Sequence, residues 1–479
     1  MSERGPLAAL AEIAPRHGRV WLVGGAVRDS LLGRATSDYD LAVDGDARAL
    51  ARELGRVAAG HVFQLSEDFG AWRVRAHDQR WQVDVTPLMG ETLEQDLLRR
   101  DLTINAIARE LSAADGELVD PFGGVADLQH RRLRSVGADA FSADPLRVLR
   151  LARMAAELGF DADQQTLGLA TKSAPGLTGV AAERTFAELR LTLVSDRAVA
   201  GLELARSVGA TAVVLPELDA LRGLEQSQYH HLDVYEHTLE TVQATIDVVR
   251  EPEATFGELG CGLREVLAEP LANEMTRGQA LRFGALLHDI AKPLTHAITE
   301  EGRPTFFEHD LRGAELATQI LARLRASERL ASHVAALARH HLRLGFLVHD
   351  RPLPARTVYR YLATCEPVEV DVTVLSVADR LATRGRNADR AVALHIELAQ
   401  EMLAVALSWR RQRPRSPIAG DQLASALGIE PGPQLGRLLS ELAEASFAGE
   451  VITEEQTLAH ARDWLAGESL AEPETDGGR

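Results

Sequence analysis

Short β-rich runs and, further along, helical spacing of the apolar residues divide the chain into two kinds of segment. In the N-terminal part, runs rich in β-branched and aromatic residues are bounded by Gly, Asp or His, which is typical of short strands. After Ser135 the apolar positions recur at helical spacing. We therefore predict an α+β head, a small mixed sheet with helices, followed by an all-α remainder. The predicted strands are residues 19–23, 39–43, 62–65, 71–76 and 81–85.

The helical part begins with one amphipathic helix. Its apolar stripe is Leu146, Leu149, Met154 and Leu158, and Gly159 is expected to end it. We find no repeat of fixed period. Turn-forming residues predict breaks near Gly137, at Leu215–Glu217 and in the stretch Arg413–Pro417.

Length and composition indicate several folded domains. A chain of 479 residues is too long for one core, so about three or four domains are expected, and an apolar fraction of 46% supports cores throughout. Only Glu472–Arg479 has the composition of a disordered tail. No apolar run is long enough for a membrane span and Met1–Leu10 lacks a basic start, which predicts a cytoplasmic protein without a signal peptide. Cys261 and Cys365, without CxxC spacing, exclude a disulfide framework and a thiolate zinc site.

A net charge of −18 argues, taken globally, against a nucleic-acid binder. The positive charge is almost all arginine, since Lys172 and Lys292 are the only lysines. Arginine's planar fork suits phosphates and base edges, although a single charge run is usually a solvated helix face. We expect a basic stripe on one face of an otherwise acidic molecule. The arginines bunch at 99–100, 131–134, 147–153 and 410–415.

Two short segments near the N-terminus hold candidate chemistry. Gly24 and Gly25 form a turn in which the missing Cβ lets backbone N–H groups approach a triphosphate. Asp38 and Asp40 lie two apart in a run that stays apolar through Val43, so on a strand both carboxylates share a face and can bind one metal site. Either segment alone is more often a plain turn or an acidic strand end. In this order they indicate two-metal nucleotidyl transfer.

These segments are part of a longer signature. WLVGGAVRDSLLG at 21–33, RRDLTINA at 99–106, DPFGG at 120–124 and DPLRVLR at 144–150 follow in one order. The chain thereby resembles the bacterial tRNA nucleotidyltransferase (CCA-adding enzyme) and poly(A) polymerase family of the DNA polymerase β superfamily. The resemblance implies a polymerase β-like head that extends the 3′ end of tRNA from CTP and ATP with Mg²⁺.

The same resemblance implies the catalytic acids of the head. Asp38 and Asp40 are the metal ligands, and Asp84 matches a third acid on a neighbouring strand. Its role would be to bind the metal that activates the attacking 3′-hydroxyl. A lone Asp in a strand is otherwise more often a surface residue.

The resemblance also implies a nucleotide site. Asp101 and Asn105, four apart on a helix start, would bind the ribose hydroxyls. Asp144 and Arg147, at i and i+3 of one helix, would select cytosine or adenine as a protein template; the alternative is an ordinary intrahelical pair. Ala143 stands where the family commonly has Glu. The implied nucleotide-binding set is Gly24, Gly25, Arg28, Arg100, Asp101, Asn105, Asp144, Arg147 and Arg150, with Arg28 and Arg100 on the triphosphate.

A second constellation resembles the HD phosphohydrolase superfamily. Imidazoles and carboxylates on successive helices can converge on divalent metals such as Mn²⁺, Ni²⁺, Co²⁺ or Fe²⁺. His341 is preferred to His340, because the following Leu342-Arg343 resembles the CCA-adding enzymes that have this domain. The alternative is a degenerate domain kept for architecture or tRNA contact. The expected metal ligands are His237, His288, Asp289, His309, His341 and Asp379.

The C-terminal segment GIEPGPQLGR at 428–437 resembles the closing segment of the same enzymes. It either places helix N–H groups on an RNA phosphate or forms a hairpin used for packing. The expected domains are the head at 1–136, a helical neck and body at 137–225, the HD domain at 226–400 and a helical tail at 401–479.

Three functional interpretations follow. The first is a tRNA nucleotidyltransferase that builds or repairs the terminal CCA, with an HD phosphohydrolase activity. The second is a poly(A) polymerase or an enzyme that adds only CC or only A, which shares every motif above. The third is a phosphohydrolase with a vestigial head, against which the intact head acids argue.

Overall fold

The computed structural model of this chain describes residues 5–67, 69–111, 116–226, 232–383 and 388–471. Contacts separate the chain into two compact units, Met1–Pro216 and Glu217–Arg479. This boundary coincides with the break predicted at Leu215–Glu217. The tail 472–479 lies outside the described residues. The finer division into four domains stays a prediction.

A mixed sheet of seven strands, in the order β3-β4-β5-β2-β1-β6-β7, forms the head. Only β2 and β5 pair in parallel; the other neighbours are antiparallel. All five predicted strands are confirmed, whereas β6 and β7 are too short to show an alternating pattern in sequence. The strands of the first unit are β1 (Arg19–Val23), β2 (Asp38–Asp44), β3 (Gly60–Ser66), β4 (Ala71–Ala76), β5 (Gln82–Pro87), β6 (Ala108–Glu110), β7 (Leu118–Val119), β8 (Arg132–Leu133) and β9 (Asp161–Ala162).

Helices pack on this sheet and extend beyond it. A buried cluster that includes Trp21, Ala42, Leu97 and Ala108 ties the strands β1, β2 and β6 to the helix before the RRDLTINA segment. The helices of this unit are α1 (Pro6–Ile13), α2 (Gly25–Leu31), α3 (Ala47–Val57), α4 (Leu93–Leu98), α5 (Gly124–Gln129), α6 (Ala140–Ala143), α7 (Arg147–Leu158), α8 (Gln164–Ser173), α9 (Ala182–Val194), α10 (Ala198–Ser207) and α11 (Ala210–Val214), with α12 (Pro216–Asp219) at the unit boundary.

The predicted amphipathic helix is α7, and its start differs from the expectation. Gly159 ends it in a left-handed conformation with φ 66°, as predicted. Asp144 was expected on the same helix, but its backbone is extended, with φ −146° and ψ 99°. Pro145 is the physical reason, because a proline disfavours the helical region for the residue before it. Asp144 and Arg147 therefore do not lie one turn apart on the same helix.

The second unit is mainly helical, with two short hairpins that the all-α expectation did not include. β10 (Pro270–Ala272) pairs with β11 (Met275–Thr276), and β12 (His296–Ile298) with β13 (Pro304–Phe306). Among its helices, α13 packs on α16 and α22, and α19 packs on α16 and α18. The helices are α13 (Val234–Arg250), α14 (Pro252–Phe256), α15 (Gly260–Leu267), α16 (Arg277–Leu287), α17 (Lys292–Thr295), α18 (His309–Arg323), α19 (Glu328–His340), α20 (Arg343–Leu347), α21 (Ala355–Cys365), α22 (Glu369–Ala382), α23 (Ala388–Arg411), α24 (Gly420–Leu427), α25 (Pro433–Phe447) and α26 (Glu454–Ala471).

One described helix, α23, is long and apolar enough to cross a membrane by length and composition alone. Core helices of globular proteins also meet this criterion. Along α23, His395, Leu398, Met402 and Trp409 are buried, and the helix packs against α22. Part of its apolar surface is thus used for packing within the second unit.

The C-terminal helices form a small core of their own. Leu423, Leu435 and Leu442 belong to one buried cluster, and Gly428 ends α24 in a left-handed conformation with φ 67°. Arg356 of α21 forms ion pairs with three glutamates of this region, one of them Glu441 at 2.8 Å. The burial of Leu435 in this cluster favours the packing interpretation of residues 428–437; an RNA contact there stays a prediction.

We expect Gly124→Ala to lower the free energy of unfolding by about 1–3 kcal/mol, the usual cost of overpacking. Gly124 opens α5 and its N–H donates to Asp120 Oδ1 at 2.7 Å, while an added Cβ would lie 2.2 Å from the carbonyl oxygen of Thr103. Gly168 of α8 is the matched control, because an added Cβ there meets nothing within 4 Å. Gly168→Ala should be neutral or stabilising by up to about 1 kcal/mol. Urea unfolding measures both; equal stability of the two variants would contradict the packing of this turn.

Candidate active sites

Three carboxylates meet on one face of the head sheet. Asp40 on β2 is in register with Asp84 on the parallel strand β5, and Asp38 is in register with Gln82. Residues two apart on a strand share a face, so Asp38 and Asp40 point the same way. Gln82 Nε2 donates to Asp38 Oδ1 at 3.0 Å. The structure thus places the three predicted acids together, while their role as metal ligands stays a prediction.

The electrostatics around Asp40 favour a bound cation. Asp40 is exposed as a residue, yet the protein around its carboxylate partly desolvates that group. This desolvation raises the pKa of Asp40. Arg100 opposes this shift, whereas Asp38 and Asp84 add to it through charge repulsion. Carboxylate oxygens without imidazole or thiolate groups suit a hard divalent ion. The donor set therefore fits Mg²⁺.

Arg73 was not found by the sequence analysis and contacts one of these acids. It lies on β4 in register with Asp84 and donates to both carboxylate oxygens, from Nε at 2.6 Å and from Nη2 at 2.7 Å. The alternation of Trp72 and Val74 around Arg73 is the sequence signal that could have placed it on this face. Asp84 is consequently neutralised by a bidentate ion pair, and a metal would compete with Arg73 for it.

Two features require glycine at position 24: its backbone conformation and the close approach of the Arg100 side chain. Its φ is 73° and its ψ −134°, a conformation that side-chain-bearing residues rarely adopt. A Cβ at this position would lie 2.6 Å from Nη1 of Arg100 and 3.5 Å from Oδ2 of Asp40. Because α2 begins at Gly25, first-turn N–H groups without intrahelical acceptors lie beside this arginine.

A cavity of about 220 Å³ lies next to these residues. It brings together most of the predicted nucleotide-binding set. Among the residues of that set, Arg28 and Asp144 do not line it. Met89, Asp96 and Arg99, which the sequence analysis had not assigned, contribute to its wall. The predicted residues that line it are Gly24, Gly25, Asp40, Arg100, Asp101, Asn105, Arg147 and Arg150.

Arg28 and Asn105 connect the glycine turn to α7 through buried hydrogen bonds. Arg28 Nη1 donates to Asn105 Oδ1 at 2.7 Å, and Asn105 Nδ2 donates to Asp101 Oδ1 at 2.9 Å. Asp101 Oδ2 lies 2.9 Å from Nε of Arg150. Asn105 stands on a single 3-10 turn rather than on the expected helix start. Arg28 therefore holds Asn105, which lines the cavity, without lining it itself. Its contact with a triphosphate stays a prediction.

Burial alone would raise the pKa of Asp101. Arg150, Asn105 and the backbone N–H of Leu102 together hold it below its ordinary value. Asp101 is consequently ionised and fixed in orientation beside the cavity. A fixed carboxylate of this kind is suited to accept hydrogen bonds from ribose hydroxyls.

Arg147 and Asp144 bind other groups rather than each other. Arg147 Nη1 donates to the carbonyl oxygens of Ala140 at 2.9 Å and Arg100 at 3.2 Å, and Nη2 donates to that of Arg99 at 2.6 Å. Asp144 pairs with Arg184 of α9 at 2.8 Å, a partner the sequence analysis missed. The alternative of an ordinary Asp–Arg pair is therefore wrong for this structure. Arg147 is held rigidly at the cavity wall.

The second unit gathers the predicted HD residues from five helices. His237 lies on α13 and Asp379 on α22, while His288 and Asp289 follow directly after α16. His309 opens α18 and His341 follows the last residue of α19. Two groups each converge within 4.8 Å and share Asp289: His237, His288 and Asp289, and Asp289, His309 and His341.

Distances within this cluster are short enough for direct His–Asp contacts and for a shared cation. His237 Nε2 is 2.9 Å from Asp379 Oδ1, and His288 Nε2 is 3.2 Å from Asp289 Oδ2. On the other side, His309 Nε2 is 3.3 Å from Asp289 Oδ1. Asp289 thus presents one oxygen to each group, as a bridging carboxylate would. Imidazole and carboxylate donors together fit a transition metal.

Backbone carbonyls orient three of these histidines. The Nδ1 atoms of His288, His309 and His341 lie 2.8, 2.7 and 2.6 Å from carbonyl oxygens three residues earlier in the chain. Such bonds fix the tautomer and direct Nε2 at the centre. His340 lies outside the cluster, where its Nδ1 accepts from Arg343 at 2.9 Å.

Positive groups next to Asp289 outweigh the effect of burial on its pKa. Burial would raise the pKa of Asp289, but His288 and Lys292 outweigh it and hold that pKa well below its ordinary value. Lys292 Nζ is 2.7 Å from Asp289 Oδ2, a contact that the sequence analysis did not assign. Burial, followed by the charge of His288, lowers the pKa of His341 to about 4, so this imidazole is neutral near pH 7 and able to bind a metal.

Three family models match the chain: Poly A polymerase head domain over residues 20–134, Probable RNA and SrmB- binding site of polymerase A over 159–222, and HD domain over 234–384. The A-adding tRNA nucleotidyltransferase of Deinococcus radiodurans is 36% identical over 92% of this chain and 95% of its own length. The CC-adding tRNA nucleotidyltransferase of Thermus thermophilus is 36% identical over 93% of both chains. The Multifunctional CCA protein of Xanthomonas campestris pv. campestris is 33% identical over 90% of this chain and 98% of its own.

Solved structures show the same fold. A CCA-adding enzyme in complex with ATP matches with a TM-score of 0.65 at 20% identity, over 96% of this chain and 94% of that chain. The Thermotoga maritima CCA-adding enzyme in complex with tRNA matches with a TM-score of 0.62, also at 20% identity and with the same coverage. The head and HD family models, together with the clustered ligand-type side chains, imply divalent metal use by both domains.

We expect Gly24→Ala to weaken nucleoside triphosphate binding by at least tenfold, because the added Cβ would displace the Arg100 guanidinium. Gly33→Ala is the matched control: Gly33 also has a positive φ, of 68°, but a Cβ there meets nothing within 4 Å. Both variants should lose about 1–2 kcal/mol of stability from backbone strain. Equilibrium binding of ATP and CTP separates the two effects. Equal affinity in the two variants would show that the approach of Arg100 to Gly24 is unimportant.

Proposed function

Because this chain belongs to the tRNA nucleotidyltransferase family, we propose that its first unit transfers nucleotides from CTP and ATP to the 3′ end of tRNA. The cavity that joins Asp40 to Arg100, Asp101 and Arg147 is the observation that carries this proposal. An acid cluster beside a ring of arginines suits a triphosphate bound with a divalent ion. The reaction is proposed to take place in the cytosol.

Asp38 and Asp40 hold Mg²⁺ in this proposal, with Asp84 as the third acid once it is released from Arg73. When bound, the metal supplies Lewis-acid stabilisation of the transferring phosphoryl group and activates the 3′-hydroxyl. Arg100 binds the triphosphate in this proposal. Its Nη1 lies beside the glycine turn, 2.6 Å from where a Cβ at position 24 would be. Asp101 and Asn105 orient the ribose.

Selection of the base is assigned to Arg147 and Asp144. Arg147 is held by three backbone carbonyls, so its guanidinium group keeps one orientation. In this proposal that fixed orientation selects the base in place of a nucleic-acid template. Guanidinium donors and a carboxylate acceptor match the acceptors and exocyclic amino groups of cytosine and adenine. Asp144, held by Arg184, lacks the preceding Glu that is common in the family.

The proposed product is the complete CCA end. Relatives that add only A, only CC, or bear the multifunctional CCA name are similarly identical to this chain, at 36%, 36% and 33%. Three substrates separate these outputs: tRNA lacking CCA, tRNA ending in CC, and an unstructured RNA, each given CTP and ATP. Sequencing of the 3′ ends should show CCA and A on the two tRNAs and no extension of the unstructured RNA. CC alone, A alone or poly(A) would each replace the proposal with the corresponding narrower activity.

We expect Asp38→Ala and Asp40→Ala each to abolish nucleotide addition while tRNA affinity and fold are retained. A lost metal ligand removes several kcal/mol of transition-state stabilisation. Asp44→Ala is the control, because Asp44 ends the same strand on the same face, away from the cavity. Rates of addition and tRNA binding are measured for all three. Addition within about tenfold of wild type by either Asp38 or Asp40 variant would contradict the site.

For the second unit we propose a phosphohydrolase that acts on a 2′,3′-cyclic phosphate or a 3′-phosphate at a damaged tRNA end. The convergence of five other ligand-type side chains around Asp289 supports it. Mn²⁺, Ni²⁺, Co²⁺ or Fe²⁺ is the proposed metal, held by His237, His288, Asp289, His309, His341 and Asp379. The product is the free 3′-hydroxyl that nucleotide addition requires.

We expect the double variant His288→Ala, Asp289→Ala to lose phosphohydrolase activity and transition-metal binding, yet to add nucleotides to intact tRNA at the wild-type rate. The physical reason is that both metal groups use Asp289. His340→Ala is the control, since His340 faces Arg343 outside the cluster. Metal content and hydrolysis are measured with each of the four metals. A wild-type protein that binds none of them would reduce this unit to a scaffold.

A further inference from the structure

One pocket of the second unit opens onto one side of the HD cluster. It has a volume of about 730 Å³ and its lining includes Asp289, His309, His341 and Asp379. His237 and His288 do not line it. One metal group therefore faces the pocket while the other lies behind it. A volume of this size accommodates a nucleotide.

Two aromatic side chains stand in the pocket wall with most of their surface exposed. Phe307 is 79% exposed and Phe346 is 70% exposed. A phenyl ring that stays in water does not gain the transfer free energy that its burial would give. Two such rings exposed in one pocket therefore indicate a ligand. Phe307 lies two residues before His309, and Phe346 five residues after His341. Both rings are thereby placed near the metal group that faces the pocket.

Arg380 gives this pocket an available hydrogen-bond donor. It lines the pocket directly after Asp379, and its Nε atom is buried without a hydrogen-bond partner among the described residues. Lys292, by contrast, already contacts Asp289 at 2.7 Å and Gln226 at 2.6 Å. A buried guanidinium nitrogen without an acceptor is suited to a phosphate oxygen.

The charges of the wall limit the size of the ligand. Glu308 and Asp310 line the same pocket. They would repel the phosphates of a strand that continued past the site. The wall therefore favours one terminal nucleotide over an extended RNA strand.

We propose that this pocket recognises the terminal nucleotide of its phosphoester substrate by stacking the base on Phe307 and Phe346 while Arg380 binds a phosphate oxygen. This inference rests on the proposed phosphohydrolase function and adds that the substrate must present an unpaired base. In the reaction, the oxygen of water bonds to phosphorus, the bond from phosphorus to a ribose oxygen breaks, and the proton of water passes to that oxygen. Stacking tolerates any base, because every base has a π face.

Equilibrium binding tests the aromatic wall independently of catalysis. The probes are adenosine 3′-phosphate and ribose 3-phosphate, which lacks the base. The double variant Phe307→Ala, Phe346→Ala should bind the adenosine probe about tenfold or more weakly for each ring lost, and the effect on the base-free probe should be much smaller. Leu294→Ala is the matched control, since Leu294 is 70% exposed on the same unit and does not line the pocket. Arg380→Gln should weaken both probes alike.

Hydrolysis of 2′,3′-cyclic AMP separates this inference from the function on which it rests. With Mn²⁺ or Ni²⁺ present, the KM of the double Phe variant should rise far more, relative to wild type, than its kcat falls. Wild type that hydrolyses the cyclic nucleotide, with unchanged KM and unchanged adenosine affinity in the double variant, overturns the stacking proposal alone. Absence of hydrolysis in wild type contradicts the phosphohydrolase function, and the binding measurements then still decide whether the rings hold a base.

Discussion

Repulsion between neighbouring carboxylates is the constraint on which both units of this protein depend. In the first unit, strand register fixes Asp40 opposite Asp84, and in the second unit five helices bring Asp379 within the cluster around Asp289. Acids held this close in partly desolvated positions need positive charge beside them. Much of the surrounding structure supplies that charge, from arginines in the head and from a lysine and imidazoles in the HD cluster. A metal ion would complete a compensation that the chain has already begun.

The need for compensation explains how an acidic protein can act on a polyanion. The net charge is −18, yet several arginines lie beside acids of the head. Several of them are fixed by the fold: Arg73 by Asp84, Arg150 by Asp101, and Arg147 by three backbone carbonyls. A planar guanidinium group fixed by such contacts keeps its orientation better than a flexible ammonium group does. The local arrangement of charge, rather than its sum, is what a triphosphate would meet.

The two centres differ in their donors, and this difference assigns different chemistry to each unit. The acids next to Asp40 offer carboxylate oxygens to a metal, whereas carbonyl-anchored imidazoles of His288, His309 and His341 surround Asp289. Hard ions accept the first set and transition metals prefer the second. The nucleotidyl transfer and the phosphohydrolysis proposed for the two units would therefore draw on different kinds of divalent ion. The pocket beside the second centre, with its exposed rings, gives that centre a wall of a kind that the head cavity lacks.

The sequence by itself determined the five longer strands of the head, and it predicted most of the side chains that the structure gathers at the two clusters. The five predicted strands, the end of α7 at Gly159 and the break at Pro216 follow from side-chain alternation, glycine and proline, whose effects act within a few residues. The partners of the charged groups were decided only by the tertiary structure. Arg73 with Asp84, and Arg184 with Asp144, join elements that are separate in sequence. Periodicity shows which face a residue occupies, but an arginine reaches far enough to contact several acids, so its partner depends on which distant elements pack against it.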